Sequence, residues 1–311
     1  MAANPGAMLA YYIHDLSPFV FKIGNWGPRW YGVSYVLSFL VAFWLYRWLA
    51  RRGYTDMPEE KVGDFITMAA IFGVMIGGRL GWVLFYGLHQ THEHWYWFLE
   101  VWEGGMSSHG GIVGLILFTL WYARRHHLSW TGIGDSLCVV APVGLFLVRC
   151  ANFINGELWG KSAGPIGGKA SVPWAVIFPT ELEGDVPSAA AIRHDPALRQ
   201  WLIEHLPPRH PSQIYEALLE GVLLFGILWV LRTRFRLPRG VITGSFFVLY
   251  ASFRIIGEVF REPDPAWHVA AFSAGQFLSL FLLVIGVVFI RWGFRTREFE
   301  PALRKAESPA N

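Results

Sequence analysis

Two arginines interrupt apolar segments of the chain, where a charged side chain is costly. Arg149 lies in the segment 133–153 and Arg254 in the segment 241–260. An Arg inside a membrane costs about 2.5–3.5 kcal/mol on insertion scales, so it must face protein, water or a bound anion. Guanidinium groups bind phosphate through paired N–H donors, which predicts a site for a lipid phosphate. Snorkelling to the membrane surface is the alternative, as is an ion pair with Glu258 for Arg254.

Polar residues accompany both arginines at helical spacing. Residues three or four positions apart share one helical face, and one such set is Tyr250, Arg254, Glu258 and Arg261. Arg149 and Asn152 share a face in the same way. Gly156 and Gly160 then let the backbone leave the helix. We expect both faces to look into a helix bundle.

Two further polar residues stand beside glycines. His109 opens the segment 109–122, and an imidazole group exchanges protons near neutral pH, which suits general acid–base catalysis. The alternative is a packing histidine next to a close helix contact at Gly110 and Gly114. For Arg79 a packing role and a functional role are both open, because its neighbours are Gly77, Gly78 and Gly81.

Composition predicts that membrane-spanning helices position these residues. The 311 residues are 53% hydrophobic and 16% charged, whereas a soluble domain carries about 25% charged residues. A span needs about 20 mostly apolar residues, and the candidate segments are 30–48, 65–86, 109–122, 133–153, 212–231, 241–260 and 273–292. The third is short and rich in glycine. We therefore predict an all-α integral membrane protein with about seven transmembrane helices.

Lys and Arg predict the orientation, because they favour the cytoplasmic side of short connections. Fifteen of the 26 basic residues fall on one side of the segments and eight on the other. We expect the N-terminus outside and the C-terminus in the cytoplasm. The predicted division is four spans in 1–154, a periplasmic head or lid in 155–211, three spans in 212–292 and a cytoplasmic tail in 293–311. No basic stretch precedes an apolar one in residues 1–28, so we expect no cleaved signal peptide.

Neither a metal site nor nucleic-acid binding is expected. Cys138 and Cys150 are 12 residues apart, or about 18 Å on a helix, which is too far for a disulfide. We interpret them as small buried apolar residues. No Cys/His spacing typical of a metal site occurs, and a net charge of +3 without a basic stripe does not favour nucleic acid.

Longer motifs contain these residues and follow one another along the chain. They are Arg-Trp-Tyr-Gly at 29–32, Gly-Gly-Arg-Leu-Gly at 77–81, His-Gly-Gly-Ile-Val-Gly at 109–114, Arg-Cys-Ala-Asn-Phe-Ile-Asn-Gly-Glu-Leu-Trp-Gly at 149–160, Pro-Arg-His-Pro-Ser-Gln-Ile-Tyr-Glu at 208–216, the stripe at 250–264 and Gly-Gln-Phe-Leu-Ser at 275–279. The ordered set resembles the prolipoprotein diacylglyceryl transferase family from the first span to the last.

That resemblance implies a seven-span enzyme of the bacterial inner membrane with its active site toward the periplasm. Such enzymes move diacylglyceryl from phosphatidylglycerol to the lipobox cysteine thiol of a preprolipoprotein, forming a thioether and releasing glycerol phosphate, as the first step of lipoprotein maturation. The reaction uses no cofactor. The resemblance implies that Arg149 and Arg254 are the essential arginines and His109 the motif histidine. Further motif positions, with roles in binding or catalysis, are Tyr31, Asn152, Glu157, Gly160, Tyr250, Glu258 and Arg261.

Three positions depart from the family's usual Gly-Arg-x-Gly-Asn-Phe pattern and its continuation. Val148 precedes the arginine, Ala151 replaces the second glycine, and Lys161 replaces an arginine. Small residues and a positive charge are kept, so we interpret the changes as tolerated. Lys161 does place a bidentate contact at that position in doubt.

The expected chemistry leaves the proton acceptor open. We hypothesise that Arg149 and Arg254 clamp the phosphate while a thiolate attacks the glycerol carbon. A free thiol has a pKa of about 8.5, so His109, a carboxylate such as Glu258, or the field of the arginines alone must yield the thiolate. Tyr31 is either a substrate contact or part of an aromatic belt. A membrane transporter of an anionic or lipid substrate is the alternative; it predicts inverted repeats, and we see none.

Overall fold

The computed structural model of the chain describes residues 11–24, 27–89, 96–99, 105–262, 268–269 and 272–300. The motif positions 263–264, part of the connection between the second and third predicted spans, and the tail 301–311 lie outside these residues. Within the described part, helices dominate and strands are limited to short pairs.

The helices are α1 (Trp30–Arg51), α2 (Val62–Met68), α3 (Ile76–Phe85), α4 (Ser108–His126), α5 (Trp130–Asn155), α6 (Ala189–His194), α7 (Pro196–His205), α8 (Ser212–Glu216), α9 (Leu224–Arg234), α10 (Val241–Glu258) and α11 (Ala274–Thr296). Wider π-helical turns join α2 to α3 over Ala69–Met75 and α8 to α9 over Ala217–Leu223. Strand β1 (Tyr12–Ile13) pairs in parallel with β2 (Val176–Ile177), and β3 (His268–Val269) pairs antiparallel with β4 (Phe272–Ser273).

Six helical stretches of the described chain are long and apolar enough to cross a membrane. They are Trp30–Arg51, Glu59–Phe85, Trp130–Asn155, Ser212–Arg234, Val241–Glu258 and Gln276–Thr296. The prediction of a mostly helical membrane protein is thereby confirmed. The third predicted segment also forms a helix, the 19-residue α4. Two glycines and a histidine in its first turn, and two arginines and a histidine in its last, reduce its apolar character, so α4 is not among the six.

The chain divides into two compact units. Unit 1 comprises Met1–Ser38, Pro142–Gly226 and Phe247–Ile285. One of its hydrophobic clusters is formed by Ile13, Ile177, Ile192, Leu202 and Leu206. Side-chain caps start α6 and α7, the two short helices that contribute Ile192 and Leu202 to this cluster. Ser188 accepts a hydrogen bond from the backbone of Ala191, and Asp195 accepts two from the first turn of α7.

Unit 2 comprises Phe39–Ala141, Ile227–Phe246 and Gly286–Asn311. Its aromatic core includes Tyr46, Phe65, Phe118 and Tyr122, with Ile133 packed among them. Helices α3 and α4 touch through glycines. A Cβ atom on Gly77 would lie 2.7 Å from the carbonyl oxygen of Gly110 and 2.8 Å from the Cα atom of Gly114. The close helix contact that the glycine spacing predicts is therefore present.

Arg79 has a structural role in unit 2. Its guanidinium group donates to the carbonyl oxygens of Trp97 (2.6 Å), Phe98 (2.9 Å) and Gly105 (3.1 Å). The same group lies 4.6 Å from the ring centroid of Trp82. Three carbonyl oxygens occupy donors that a phosphate group would need, so the packing interpretation of Arg79 is the one the structure favours.

Unit 2 contains a cluster of buried charges that includes Glu300, a residue just after α11. Glu300 is fully buried and lies between Arg232 (3.4 Å) and Arg239 (2.9 Å). Arg239 also contacts Asp56 at 3.1 Å, and Asp135 accepts three hydrogen bonds from Gly240 and Thr243. Arg232 and Arg239 lie between the predicted segments 212–231 and 241–260, where the sequence predicts no buried ion pair.

Candidate active site

Arg149 meets two carboxylates in the interior of unit 1. It lies near the end of α5, where its Nε atom is 2.9 Å from Glu216 Oε2 and its Nη2 atom is 3.4 Å from Glu220 Oε2. Both glutamates are almost fully buried. They stand one helical turn apart, Glu216 at the end of α8 and Glu220 in the π-helical turn that follows.

Arg254 on α10 approaches the same two carboxylates. Its Nη1 atom is 2.7 Å from Glu216 Oε1 and 3.8 Å from Glu220 Oε1. Its Nη2 atom is 3.2 Å from Glu258 Oε2, one turn along the same helix. Arg261 adds a third guanidinium group, with Nη1 3.5 Å from Glu216 Oε1. The structure thus brings Arg149, Arg254, Glu258 and Arg261 together, as the helical spacing predicts for the last three.

Neither Glu216 nor Glu220 is among the site residues predicted from the sequence, although Glu216 ends the motif at 208–216. Two carboxylates four positions apart inside an apolar segment were the available signal, since ionisable residues in a span are rare and mark functional sites. Among the described residues the cluster holds three arginines and three glutamates, so their formal charges balance. Desolvating such groups is costly, and only close pairing offsets it. A further anion that uses the donors of Arg149 and Arg254 that face Glu216 therefore competes with that carboxylate.

The end of α5 is shaped by backbone geometry. Gly156 adopts φ +67° directly after the helix, the left-handed conformation that glycine tolerates best. Gly160 allows two backbone segments to approach, because a Cβ atom there would lie 2.5 Å from the carbonyl oxygens of both His210 and Phe260. Gly160 also forms a bridge with the backbone of Arg261. A side chain at position 160 would clash with these carbonyl oxygens, which explains why the residue is glycine. The predicted contact of Gly160 with substrate stays a prediction.

Two of the remaining motif residues of unit 1 lie on the helices that carry the cluster, and a third lies at the start of α1. Asn152 is buried on α5 and donates to Glu157 Oε1 over 2.7 Å. Tyr250 is half-buried on α10, one turn before Arg254, and interacts electrostatically with that arginine and with Glu220. Tyr31 opens α1, with its ring centroid 5.5 Å from that of Tyr35.

An ion-pair network holds the connection between α5 and α8. The Nε atom of Arg209 donates to Glu181 over 2.7 Å, and Nη1 donates to Glu262 over 3.0 Å and to the carbonyl oxygen of Gly160 over 3.0 Å. Burial lowers the pKa of Arg209, but the hydrogen bonds and charges of the two glutamates outweigh it and raise the pKa above its usual value. Arg209 therefore stays charged and supports the segment that carries Gly160.

His109 lies in unit 2, whereas the arginine cluster lies in unit 1. It is exposed in the first turn of α4, next to the N-cap residue Ser107, whose hydroxyl accepts a hydrogen bond from the backbone of Gly110. Its role in proton transfer stays a prediction.

Sequence comparisons match the chain along most of its length. A sequence model of the family described as prolipoprotein diacylglyceryl transferase matches residues 18–292. The chain is 40% identical over 283 residues to the phosphatidylglycerol–prolipoprotein diacylglyceryl transferase of Serratia proteamaculans, covering 90% of this chain and 94% of the relative. The protein of that name from Proteus mirabilis is 37% identical over 290 residues, covering 92% and 95%. The chain therefore belongs to the prolipoprotein diacylglyceryl transferase family.

Proposed function

We propose that the chain transfers the diacylglyceryl group of phosphatidylglycerol to the cysteine thiol of a prolipoprotein. The observation that carries this proposal is the pairing of Arg149 and Arg254 around Glu216, in a chain whose relatives bear that enzyme's name. Two guanidinium groups that share one carboxylate have the donors and the spacing to share one phosphate.

Phosphate binding replaces carboxylate contacts. A phosphodiester needs the same N–H donors that Glu216 now occupies on Arg149 and Arg254, so the two anions compete for one place. The energetic cost of moving Glu216 is limited by Arg261, which lies 3.5 Å from it and offers a remaining partner. The site therefore binds a lipid phosphate without leaving a buried charge uncompensated.

The transfer step is a substitution at carbon. The thiolate sulfur forms a bond to the terminal carbon of the diacylglyceryl group, and the bond from that carbon to the phosphate oxygen breaks. Glycerol phosphate leaves with the electron pair, and Arg149 and Arg254 stabilise the charge that develops on it. The thiol proton passes to His109, to Glu258, or to solvent under the field of the arginines.

We also propose the predicted placement in the membrane. It comprises seven spans with α4 as the third, the N-terminus outside, the C-terminus in the cytoplasm of a bacterial cell, and residues 155–211 as a periplasmic head. This orientation is supported by the unequal numbers of Lys and Arg residues on the two sides of the predicted spans. It places the arginine cluster toward the periplasmic side of the inner membrane, where a lipobox cysteine is accessible.

The test uses purified protein, phosphatidylglycerol and a lipobox peptide, with product mass as the readout. We expect a thioether-linked diacylglyceryl peptide, and a loss of at least about 100-fold in rate for Arg149→Ala and Arg254→Ala because one donor to the developing charge is gone. Arg193→Ala is the control, since Arg193 forms an exposed ion pair with Asp15.

Two outcomes contradict parts of this proposal. Absence of the thioether product from the unaltered protein would reject the transferase function. Normal turnover in both arginine variants would reject the phosphate clamp alone. A His109→Gln variant that keeps its rate across the pH range would assign His109 to packing.

A further inference from the structure

Three carboxamide side chains surround Glu157 in unit 1. Asn152 Nδ2 donates to Glu157 Oε1 over 2.7 Å, and Asn155 Nδ2 lies 3.5 Å from the same oxygen. Gln213 Nε2 donates to the backbone carbonyl of Glu157 over 2.6 Å. Because only the NH2 side of an amide can donate to a carboxylate or a carbonyl, these contacts determine how each amide is turned. The three amide oxygens therefore face away from Glu157.

Those three oxygens lack protein donors. Asn152 Oδ1, Asn155 Oδ1 and Gln213 Oε1 are buried and accept no hydrogen bond from any residue in the described part of the chain. Asn152 is 2% exposed and Gln213 is fully buried. A buried acceptor without a donor destabilises the fold, so each one needs an explanation. Hydroxyl groups are donors that such amide oxygens can accept from.

The amides lie one helical turn from the arginine cluster on two helices. Asn152 follows Arg149 by three positions on α5, and Gln213 precedes Glu216 by three positions on α8. Three residues rise about 4.5 Å along a helix. In a phosphoglycerol head group the hydroxyls are separated from the phosphorus by a few single bonds, which span a comparable distance.

We propose that Asn152, Asn155 and Gln213 form a hydroxyl-binding subsite that selects a phosphoglycerol head group over phosphodiesters without hydroxyls. The inference rests on the proposed function and adds its head-group selectivity. Glu157 is then a positioning residue, which orients the amides without touching the reacting atoms. The amide oxygens are covered in this structure, so a hydroxyl group reaches them only when neighbouring side chains move.

The neighbouring turn provides a matched control. Leu158 adopts φ +58°, a strained conformation for a residue with a side chain. Ser212 supports it by donating from its hydroxyl to the Leu158 carbonyl oxygen over 2.9 Å. Ser212 is as buried as its neighbour Gln213 and supports the same turn, but it contributes no amide oxygen.

The experiment compares phosphatidylglycerol with phosphatidylethanol of identical acyl chains, using a lipobox peptide as acceptor. We expect the unaltered protein to prefer phosphatidylglycerol by about 100-fold in kcat/KM, or roughly tenfold for each hydroxyl. Gln213→Met and Asn155→Ala should each reduce that preference by about tenfold. The loss should fall on phosphatidylglycerol, with phosphatidylethanol within about twofold, because only the hydroxyl-bearing lipid uses the amide oxygens.

The Ser212→Ala control should leave the preference unchanged, whatever its effect on both rates. Equal use of the two lipids by the unaltered protein, or equal loss for both lipids in the amide variants, would overturn the subsite and leave the transferase function standing. Product from neither lipid would reject the proposed function and the subsite with it. If thermal unfolding shows that Gln213→Met does not fold, the half-buried Asn155→Ala decides the question.

Discussion

At the scale of single residues, Glu216 organises the candidate site. Its two oxygens lie 2.9 Å from Arg149, 2.7 Å from Arg254 and 3.5 Å from Arg261. The carboxylate is only 2% exposed, so water does little to screen these contacts. Glu216 thus stabilises the cluster and competes with any phosphate for the same donors.

Glu216→Gln is expected to change stability and anion affinity in opposite directions. Removing one partner of a buried ion pair costs about 3–5 kcal/mol, because the arginines are left uncompensated. The same excess of positive charge should tighten glycerol phosphate binding by about tenfold. Unfolding temperature in detergent, measured with and without glycerol phosphate, checks both effects.

Glu59→Gln is the control for Glu216→Gln. Glu59 also contacts two arginines, Arg47 and Arg51, but at the surface, so its removal should change neither quantity noticeably. Weaker binding of glycerol phosphate to Glu216→Gln would mean that the carboxylate does not compete with the anion.

At the scale of elements, the N-terminal strand secures the end of α5. His14 follows β1, is 4% exposed, and has Nε2 2.7 Å from the carbonyl oxygen of Phe153. Its ring also packs against Phe153 and Phe178. Burial lowers the pKa of His14, and the hydrogen bond to Phe153 offsets only part of that change. The neutral imidazole therefore fits this contact better than the charged one.

Unit 1 should lose stability as the pH falls below about 6.5, the usual pKa of histidine. His14 has a lower pKa in the folded chain, so the unfolded chain binds more protons in this range, and stability rises with pH until both forms are neutral. Unfolding temperatures between pH 5 and 7.5 test this expectation. His14→Gln should flatten the dependence, whereas His194→Gln, at an exposed position of the same unit, should not; an unchanged slope in His14→Gln would disprove the assignment.

At the scale of the whole molecule, the last described residue after α11 makes a buried ionic contact in unit 2. Glu300 follows α11 and lies between Arg232 and Arg239. The backbone N–H of Arg239 also donates to the carbonyl oxygen of Glu298 over 2.7 Å. Residues 297–300, directly after the last helix, are consequently part of the fold of this unit.

Glu300→Ala should destabilise the protein by about 3–5 kcal/mol, because it leaves two buried arginines with one fewer carboxylate. Glu298→Ala keeps the backbone hydrogen bond and removes only an exposed side chain, so it is expected to change little. Thermal unfolding of both variants in detergent is the measurement. Equal stability of the two variants would show that the ion pairs of Glu300 do not support unit 2.

The sequence by itself determined the helices, the family and the polar face of α10. A long apolar stretch of sequence indicates a helical span, because a backbone in lipid must satisfy its own hydrogen bonds. Helical periodicity alone places Arg254 beside Glu258, and the structure has them 3.2 Å apart. The ordered motifs indicated the family because they extend along almost the entire chain.

Only the tertiary structure decided which charges pair. Arg149 and Arg254 are far apart in sequence and meet at Glu216, a residue of a third helix, and no local periodicity encodes such a contact. The sequence likewise left open whether Arg79 packs or functions. The structure favours packing, because the chain folds back and places the carbonyl oxygens of Trp97 and Gly105 beside its guanidinium group. An arginine in an apolar segment must find a partner, but the partner is chosen by packing.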